Sequence, residues 1–197
     1  MTSRKRLVGA VLAPALLVLL AACNPSVSPP SYRPVQDLSK VSAAALDPCP
    51  TAGTPVSGGL PDLTLHCLDG KTTVDLAGVK GPALINVWYS TCPPCKKEAP
   101  YVEQFRTAAK GKVQVLGIDV EPYPDGGLTF AYNLGLKYPS VIDEHDTVRS
   151  KLKFATYPTS YFLDATGHLV GKPQIQPFGS VAEIKAAVKA HLGVTVP

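Results

Sequence analysis

The sequence predicts an α/β domain: a mixed central sheet with helices on both faces, entered through an N-terminal β-hairpin. Three observations predict it. Short strand-like runs at Pro82–Tyr89, Val113–Val120 and Pro158–Leu163 are separated by segments of helical period. The first two are nearly continuous rather than alternating, so they read as strands buried on both faces, which calls for helices above and below. With 197 residues, 45% of them apolar and 17% charged, the chain can bury one core and falls short of two ordinary domains.

The N-terminus comes first in the chain and stands apart. Arg4, Lys5 and Arg6 precede Leu7 to Ala22, 16 residues without a charge. A spanning helix needs about 20 apolar residues, so a charged start with this short run reads as a secretory signal peptide over 1–22. Its exit, Leu20-Ala21-Ala22-Cys23, resembles the bacterial lipobox, which implies acylation of Cys23 and a chain held to a membrane outside the cytoplasm. Without that segment 16 Lys and Arg face 15 Asp and Glu. Near-neutrality leaves no electrostatic footprint for nucleic acid. From Asn24 to Pro61 there are eight prolines and few large apolar side chains. Residues 23–59 therefore read as a solvated Pro/Ser-rich tether, with a weak helix allowed over Val35–Leu46.

The head, 60–197, has no internal repeat. Leu63–Leu68 alternates loosely and Asp69-Gly70 turns it into Thr72–Val74, a hairpin. The buried strand Pro82–Tyr89 leads into a helix, Pro93–Ala109, with Val102, Phe105 and Ala109 on one stripe. After the strand Val113–Val120 come a softer helix over Gly127–Leu136 and a short one over Thr147–Leu152. Pro158–Leu163 is a strand, and Asp164–Gly167 turns it into an antiparallel return over His168–Gly171. Ser180 and Glu183 have capping-box spacing for a last helix, whose Val181, Ile184, Val188 and Leu192 share a face.

Five cysteines in an exported chain require sorting. Cys23 takes the lipid. Cys92-Pro93-Pro94-Cys95 stands where a buried strand gives way to a helix, which is a redox geometry. Pro93 suits a first helical turn, where no backbone donor is missed. Cys92 would cap the helix, whose positive dipole end favours thiolate over thiol, and Cys95 is near enough to close a short reducible ring. A zinc ribbon lacks its second Cys-x-x-Cys, and covalent haem attachment lacks a histidine at Lys96. Outside the cytoplasm the leftover Cys49 and Cys67 most simply form a structural disulfide; a relay pair passing electrons to the dithiol is the alternative. His66, His145, His168 and His191 have no ligand spacing.

The run Asn86-Val87-Trp88-Tyr89-Ser90-Thr91-Cys92-Pro93-Pro94-Cys95-Lys96-Lys97-Glu98-Ala99-Pro100 resembles the active-site segment of the thioredoxin superfamily, in particular the exported TlpA/ResA/CcmG-type thiol-disulfide oxidoreductases. Tyr157-Pro158-Thr159 is similar to the family's second signature, a cis-proline loop facing the dithiol. The resemblance spans about residues 60–193 and implies a thioredoxin-like fold. It makes Cys92 the exposed nucleophile and Cys95 the resolving thiol, with Pro158 cis and the Tyr157 backbone free to pair with a substrate strand. Trp88, Pro93 and Pro94 join Tyr157 in meeting the substrate. Pro100 removes the bond to the Lys96 carbonyl inside the helix. Glu98, three residues beyond Cys95, either tunes the cysteines as in ResA-like members or is a solvated first-turn acid. Asn86 stands where cytosolic thioredoxins have a buried aspartate, and an amide cannot take that proton. Thr91, in place of a frequent tryptophan, and the bulky Tyr89 depart from the pattern and alter the surface that meets a partner.

The resemblance thus implies a membrane-anchored, extracytoplasmic, monomeric enzyme without metal or other cofactor. It would reduce disulfides of exported proteins, for example apocytochrome c, and be recharged by an integral-membrane thiol donor. A disulfide-forming oxidase or isomerase is the nearest rival. Pro93-Pro94 carries no charge or imidazole to stabilise a thiolate, which speaks against a strong oxidant. A peroxiredoxin-like peroxidase needs Pro-x-x-x-Thr/Ser-x-x-Cys, and Ile85 and Tyr89 occupy those positions. A non-enzymatic binding module would not need both Cys92 and Cys95.

Overall fold

The structure is a computed structural model and describes Ser39, Ser42 and residues 44–197. The predicted signal peptide and Cys23 lie outside the described residues. Among the described residues one sheet holds seven strands: β1 (Thr64–Cys67), β2 (Thr73–Asp75), β3 (Ala83–Trp88), β4 (Gln114–Asp119), β5 (Ser140–Ile142), β6 (Thr159–Leu163) and β7 (Leu169–Gln174), in the order β2-β1-β5-β4-β3-β6-β7. The central β5, β4 and β3 run parallel; β1 and β2 on one side and β6 and β7 on the other pair antiparallel. Four α-helices pack with the sheet: α1 (Pro93–Ala109), α2 (Pro124–Leu134), α3 (Thr147–Leu152) and α4 (Val181–Leu192).

Strand parity sorts the core into two layers. Leu84 and Trp88 of β3 point to the side where α1 contributes Val102 and Phe105, α2 Leu128 and Ala131, and α4 Ile184 and Val188. Ala83, Ile85 and Val87 point the other way, to Val148 of α3, Phe154 and Leu76. Every residue of β3 is buried, as its nearly continuous apolar run predicts, and helices cover both faces as expected.

Two elements differ from expectation. Ser140–Ile142 is a strand that the sequence reading passes over: three residues between Pro139 and Asp143 are too few to show a period, and only its parallel partner β4 makes them a strand. The helix expected over Gly127–Leu136 runs instead from Pro124 to Leu134. Pro124 starts it because a first-turn residue needs no N–H. Gly135 ends it in the left-handed region at φ 64°.

The segment read as solvated tether is packed from Ala44 onward. Ala44 is buried and Leu46 lies against the α1-side core. Lys137 Nζ donates to the Ala44 carbonyl at 2.8 Å, and Asp47 pairs with Arg106 of α1 at 2.8 Å. Further along, Gly53 N–H donates to Gly78 O at 2.8 Å, Val56 N–H donates to Ala77 O at 2.9 Å, and Cys49 is bonded to Cys67. Backbone hydrogen bonds and a disulfide hold residues 44–59 where composition offers little apolar area, so composition alone misplaces them.

Candidate active site

The dithiol lies past the carboxyl ends of the parallel strands β3 and β4, where open α/β sheets leave a crevice. Tyr89, Ser90 and Thr91 connect β3 to Cys92, which caps α1, and the Cys92 N–H closes this turn on Tyr89 O at 3.2 Å. Cys95 N–H donates to Cys92 Sγ at 3.1 Å, and Pro93 and Pro94 occupy the first helical positions. Cys92 and Cys95 form a disulfide. The sulfur of Cys92 thus stands at the positive end of the helix with a backbone donor aimed at it, which stabilises a thiolate on reduction. One expectation is corrected: Cys92 is only 2% exposed. Its side chain turns back to cap the helix, leaving Pro93 as the exposed residue of the motif.

The Tyr157–Pro158 peptide is cis, as the second motif implies. The antiparallel ladder explains why that loop meets the dithiol. Thr159 pairs with Val87, so the next residue back, Pro158, arrives beside Trp88 and the start of the active-site connection. Cys92, Pro94, Tyr89, Val120, Asp146, Arg149, Ala155, Thr156 and Tyr157 line a cleft of about 560 Å³. The Tyr157 ring meets Tyr89 edge-on with centroids 5.2 Å apart, and its hydroxyl donates to Asp146. Burial, reinforced by that bond, holds the phenol well above its ordinary pKa.

Glu98 is 2% exposed, not a solvated first-turn acid. Asn86 Nδ2 donates to Glu98 Oε1 at 2.8 Å and to Ser160 Oγ at 3.0 Å, and Phe178 N–H donates to Glu98 Oε2 at 3.0 Å. Burial pushes this carboxyl up to about 7, against the Phe178 and Asn86 hydrogen bonds that favour its charged form. A group that titrates there can hold or release a proton at neutral pH. Asn86, which cannot, positions the group that can.

Trp88 does not reach a substrate surface. It is 2% exposed and stacks on Phe130 of α2 with centroids 4.8 Å apart. Parity explains it, since Leu84, Asn86 and Trp88 all face α1. Sequence reasoning also missed Asp119, which ends β4 opposite Trp88. Asp119 is fully buried, its carboxyl has no hydrogen-bond partner among the described residues, and burial, with the charge of Glu121 second, raises its pKa well above its ordinary value. An acid near the end of the largely apolar run Val115–Val120 was the available signal. Cys49 and Cys67 form the other disulfide, between the N-terminal segment and β1.

Comparison with known proteins agrees with this geometry. The chain is 30% identical over 112 residues to the thiol-disulfide oxidoreductase ResA of Bacillus anthracis, covering 56% of this chain and 64% of that one. It is 32% identical over 115 residues to ResA of Geobacillus thermodenitrificans, covering 57% and 65%. The chain therefore spans just under two thirds of the length of these relatives. Among solved structures it is similar to StoA of Bacillus subtilis, with a TM-score of 0.55 at 22% identity over 66% of this chain and 98% of that one. It is also similar to a secreted Mycobacterium tuberculosis disulfide oxidoreductase, with a TM-score of 0.57 at 23% identity over 66% and 96%. The fold is thus the thioredoxin-like one. The model of the AhpC/TSA family matches residues 56–172, from ahead of β1 into β7. Because that match takes in the dithiol, the cis-proline loop and more than half of the chain, this protein belongs to the AhpC/TSA family.

Proposed function

We propose that this protein is a thiol-disulfide oxidoreductase, held outside the cytoplasm by a lipid on Cys23, that reduces disulfides of exported proteins. The observation that carries the reading is the Cys92–Cys95 disulfide at the head of α1, with Cys92 on a cleft walled by the Tyr157-Pro158 loop. The similarity to ResA supports the same chemistry. In the reduced enzyme the Cys92 thiolate attacks one sulfur of a substrate disulfide. A mixed disulfide forms and the other substrate sulfur leaves as thiolate, taking a proton from its surroundings. Cys95 then loses its proton, for which Glu98 is the buried acceptor in the same helix. Its thiolate attacks Cys92 Sγ and releases the second substrate sulfur. Two electrons pass to the substrate, and Cys92–Cys95 is left oxidised until a membrane dithiol donor resets it. Apocytochrome c cysteines are the substrate that the resemblance favours.

Equilibration of the Cys92–Cys95 pair with glutathione or dithiothreitol tests the direction. A reductase has a potential near that of thioredoxin, about −270 mV. A value near about −120 mV would make the protein an oxidant and overturn the proposed direction.

A further inference from the structure

Two residues ahead of Cys92, the Ser90 N–H donates to the carboxylate of Glu121, just past the end of β4. Ser90 is the middle residue of the Tyr89–Thr91 connection, so its backbone governs how Cys92 arrives at the helix. The other carboxylate oxygen, Glu121 Oε2, lies against Gly126 in the first turn of α2, where a Cβ would overlap it. Gly126 has no left-handed backbone to explain it, and glycine within a helix is less favourable than alanine. What its missing side chain provides is room for that carboxylate. The next residue repeats the arrangement: a Cβ on Gly127 would overlap Asp119 Oδ2. Burial first, and the charge of Glu121 second, raise the pKa of the Asp119 carboxyl well above its ordinary value. Lys96 and Asp125 border the same groove as Ser90 and Gly126.

We propose that Glu121 is a positioning residue for the nucleophilic thiol. Seated in the gap left by Gly126, its carboxylate holds the Ser90 N–H and thereby fixes the connection that sets Cys92 at the head of α1. The inference rests on reading Cys92 as the attacking sulfur. Without the carboxylate the Ser90 N–H loses its acceptor and the connection gains other conformations. Cys92 Sγ then spends less time where the Cys95 N–H and the helix dipole stabilise a thiolate. A glutamine keeps a carbonyl oxygen in the same place.

The test is the pH dependence of iodoacetamide alkylation of Cys92, read at that residue by mass spectrometry in the dithiothreitol-reduced full chain. The thiolate displaces iodide, so no protein substrate is needed. Glu121→Ala and Gly126→Ala should each slow alkylation at neutral pH by about tenfold and move its midpoint to higher pH. Glu121→Gln should stay within about twofold of the parent, and the Glu121→Ala/Gly126→Ala double variant should be no slower than Glu121→Ala alone. Gly126→Ala should unfold at or above the parent's temperature, since alanine is the better helix former. If Glu121→Ala and Glu121→Gln shift together while Gly126→Ala does not, charge rather than positioning is at work and the proposal fails. It fails equally if all variants match the parent. Should Gly126→Ala not fold, the contrast between alanine and glutamine at Glu121 decides alone. A parent whose Cys92 alkylates normally but exchanges no protein disulfide would remove the proposed function and leave the positioning role standing.

Discussion

Cys92–Cys95 and Cys49–Cys67 are both disulfides, yet the chain gives them surroundings that share almost nothing. The first joins residues three apart within the opening of α1, with a backbone N–H on Cys92 Sγ and a cleft in front. The second joins residues 18 apart, ties the N-terminal segment to β1, and has Cys67 opposite Val141 of β5 inside the sheet. A short ring removes little freedom from the unfolded chain, whereas an 18-residue separation removes much more. A helix start stabilises the thiolate that reduction produces, and no helix begins at Cys49 or Cys67. On the proposed reading, the reducible bond is the one whose broken form the helix start stabilises, and the structural bond is the one that most constrains the unfolded chain.

Substitution should separate the two most sharply at the sulfurs themselves. Cys92→Ser should lower disulfide exchange by at least about a thousandfold, because a hydroxyl at neutral pH is no substitute for a thiolate; insulin reduction is a sufficient assay. A Cys49→Ala/Cys67→Ala variant should exchange disulfides at the parent's rate while losing about 3 kcal/mol of stability in urea titrations. A drop in exchange with unchanged stability would reverse the assignment and make Cys49–Cys67 the relay pair.

Glu98 extends the contrast to pH. Its carboxyl binds a proton more tightly in the folded protein, at about 7, than at the reference value of 4.5. Its contribution to stability is therefore fully present below the unfolded value and lost as pH rises through the folded one. The shift corresponds to about 3 kcal/mol at most. Glu98→Gln should remove that slope, so the parent's advantage over the variant should shrink between about pH 4 and pH 8 in urea titrations. It should also flatten the pH dependence of the Cys92–Cys95 potential and leave reduction of Cys49–Cys67 untouched. Parallel stability curves for parent and variant would show that Glu98 titrates like a surface acid.

The dithiol was legible because everything that makes it sits within eight residues of sequence, Trp88 to Cys95: strand end, cap, prolines and second sulfur. The proximity of Glu98 was legible from helical spacing, but its burial was not, since Phe178 comes from 80 residues away. Trp88 shows a signal that was present and misapplied. Its parity with Leu84 and Asn86 already assigns it to the interior, whatever a motif suggests about substrate. The docking of residues 44–59 rests on Asp47–Arg106, Lys137 and backbone bonds to Ala77 and Gly78. No local composition encodes such partners, so a proline-rich segment looks solvated until its neighbours are known. β5 fails to show for the same reason: its strand character is lent by β4.

The smallest effect expected concerns the wall of the cleft rather than either disulfide. Arg149 Nη2 donates to the Ala155 carbonyl at 3.0 Å, its Nη1 lies 3.5 Å from Asp146 Oδ2, and its guanidinium sits 5.3 Å over the Tyr157 ring. Asp146 also accepts from the Tyr157 hydroxyl, and Phe154 meets that ring edge-on. One cation thus touches the loop that carries the cis-proline at Ala155 and at Tyr157. Nearly half of the Arg149 side chain is exposed, so water replaces much of what truncation removes, and Arg149→Ala should cost only about 1 kcal/mol of stability. Its functional consequence should be selective. A looser loop presents the Tyr157 backbone less often to an incoming substrate strand, while the sulfurs and α1 are unchanged. KM for a protein disulfide should therefore rise several-fold with kcat nearly constant, and alkylation of reduced Cys92 should match the parent. If kcat falls instead, the loop serves the chemical step, and the separation drawn between cleft wall and helix cap does not hold.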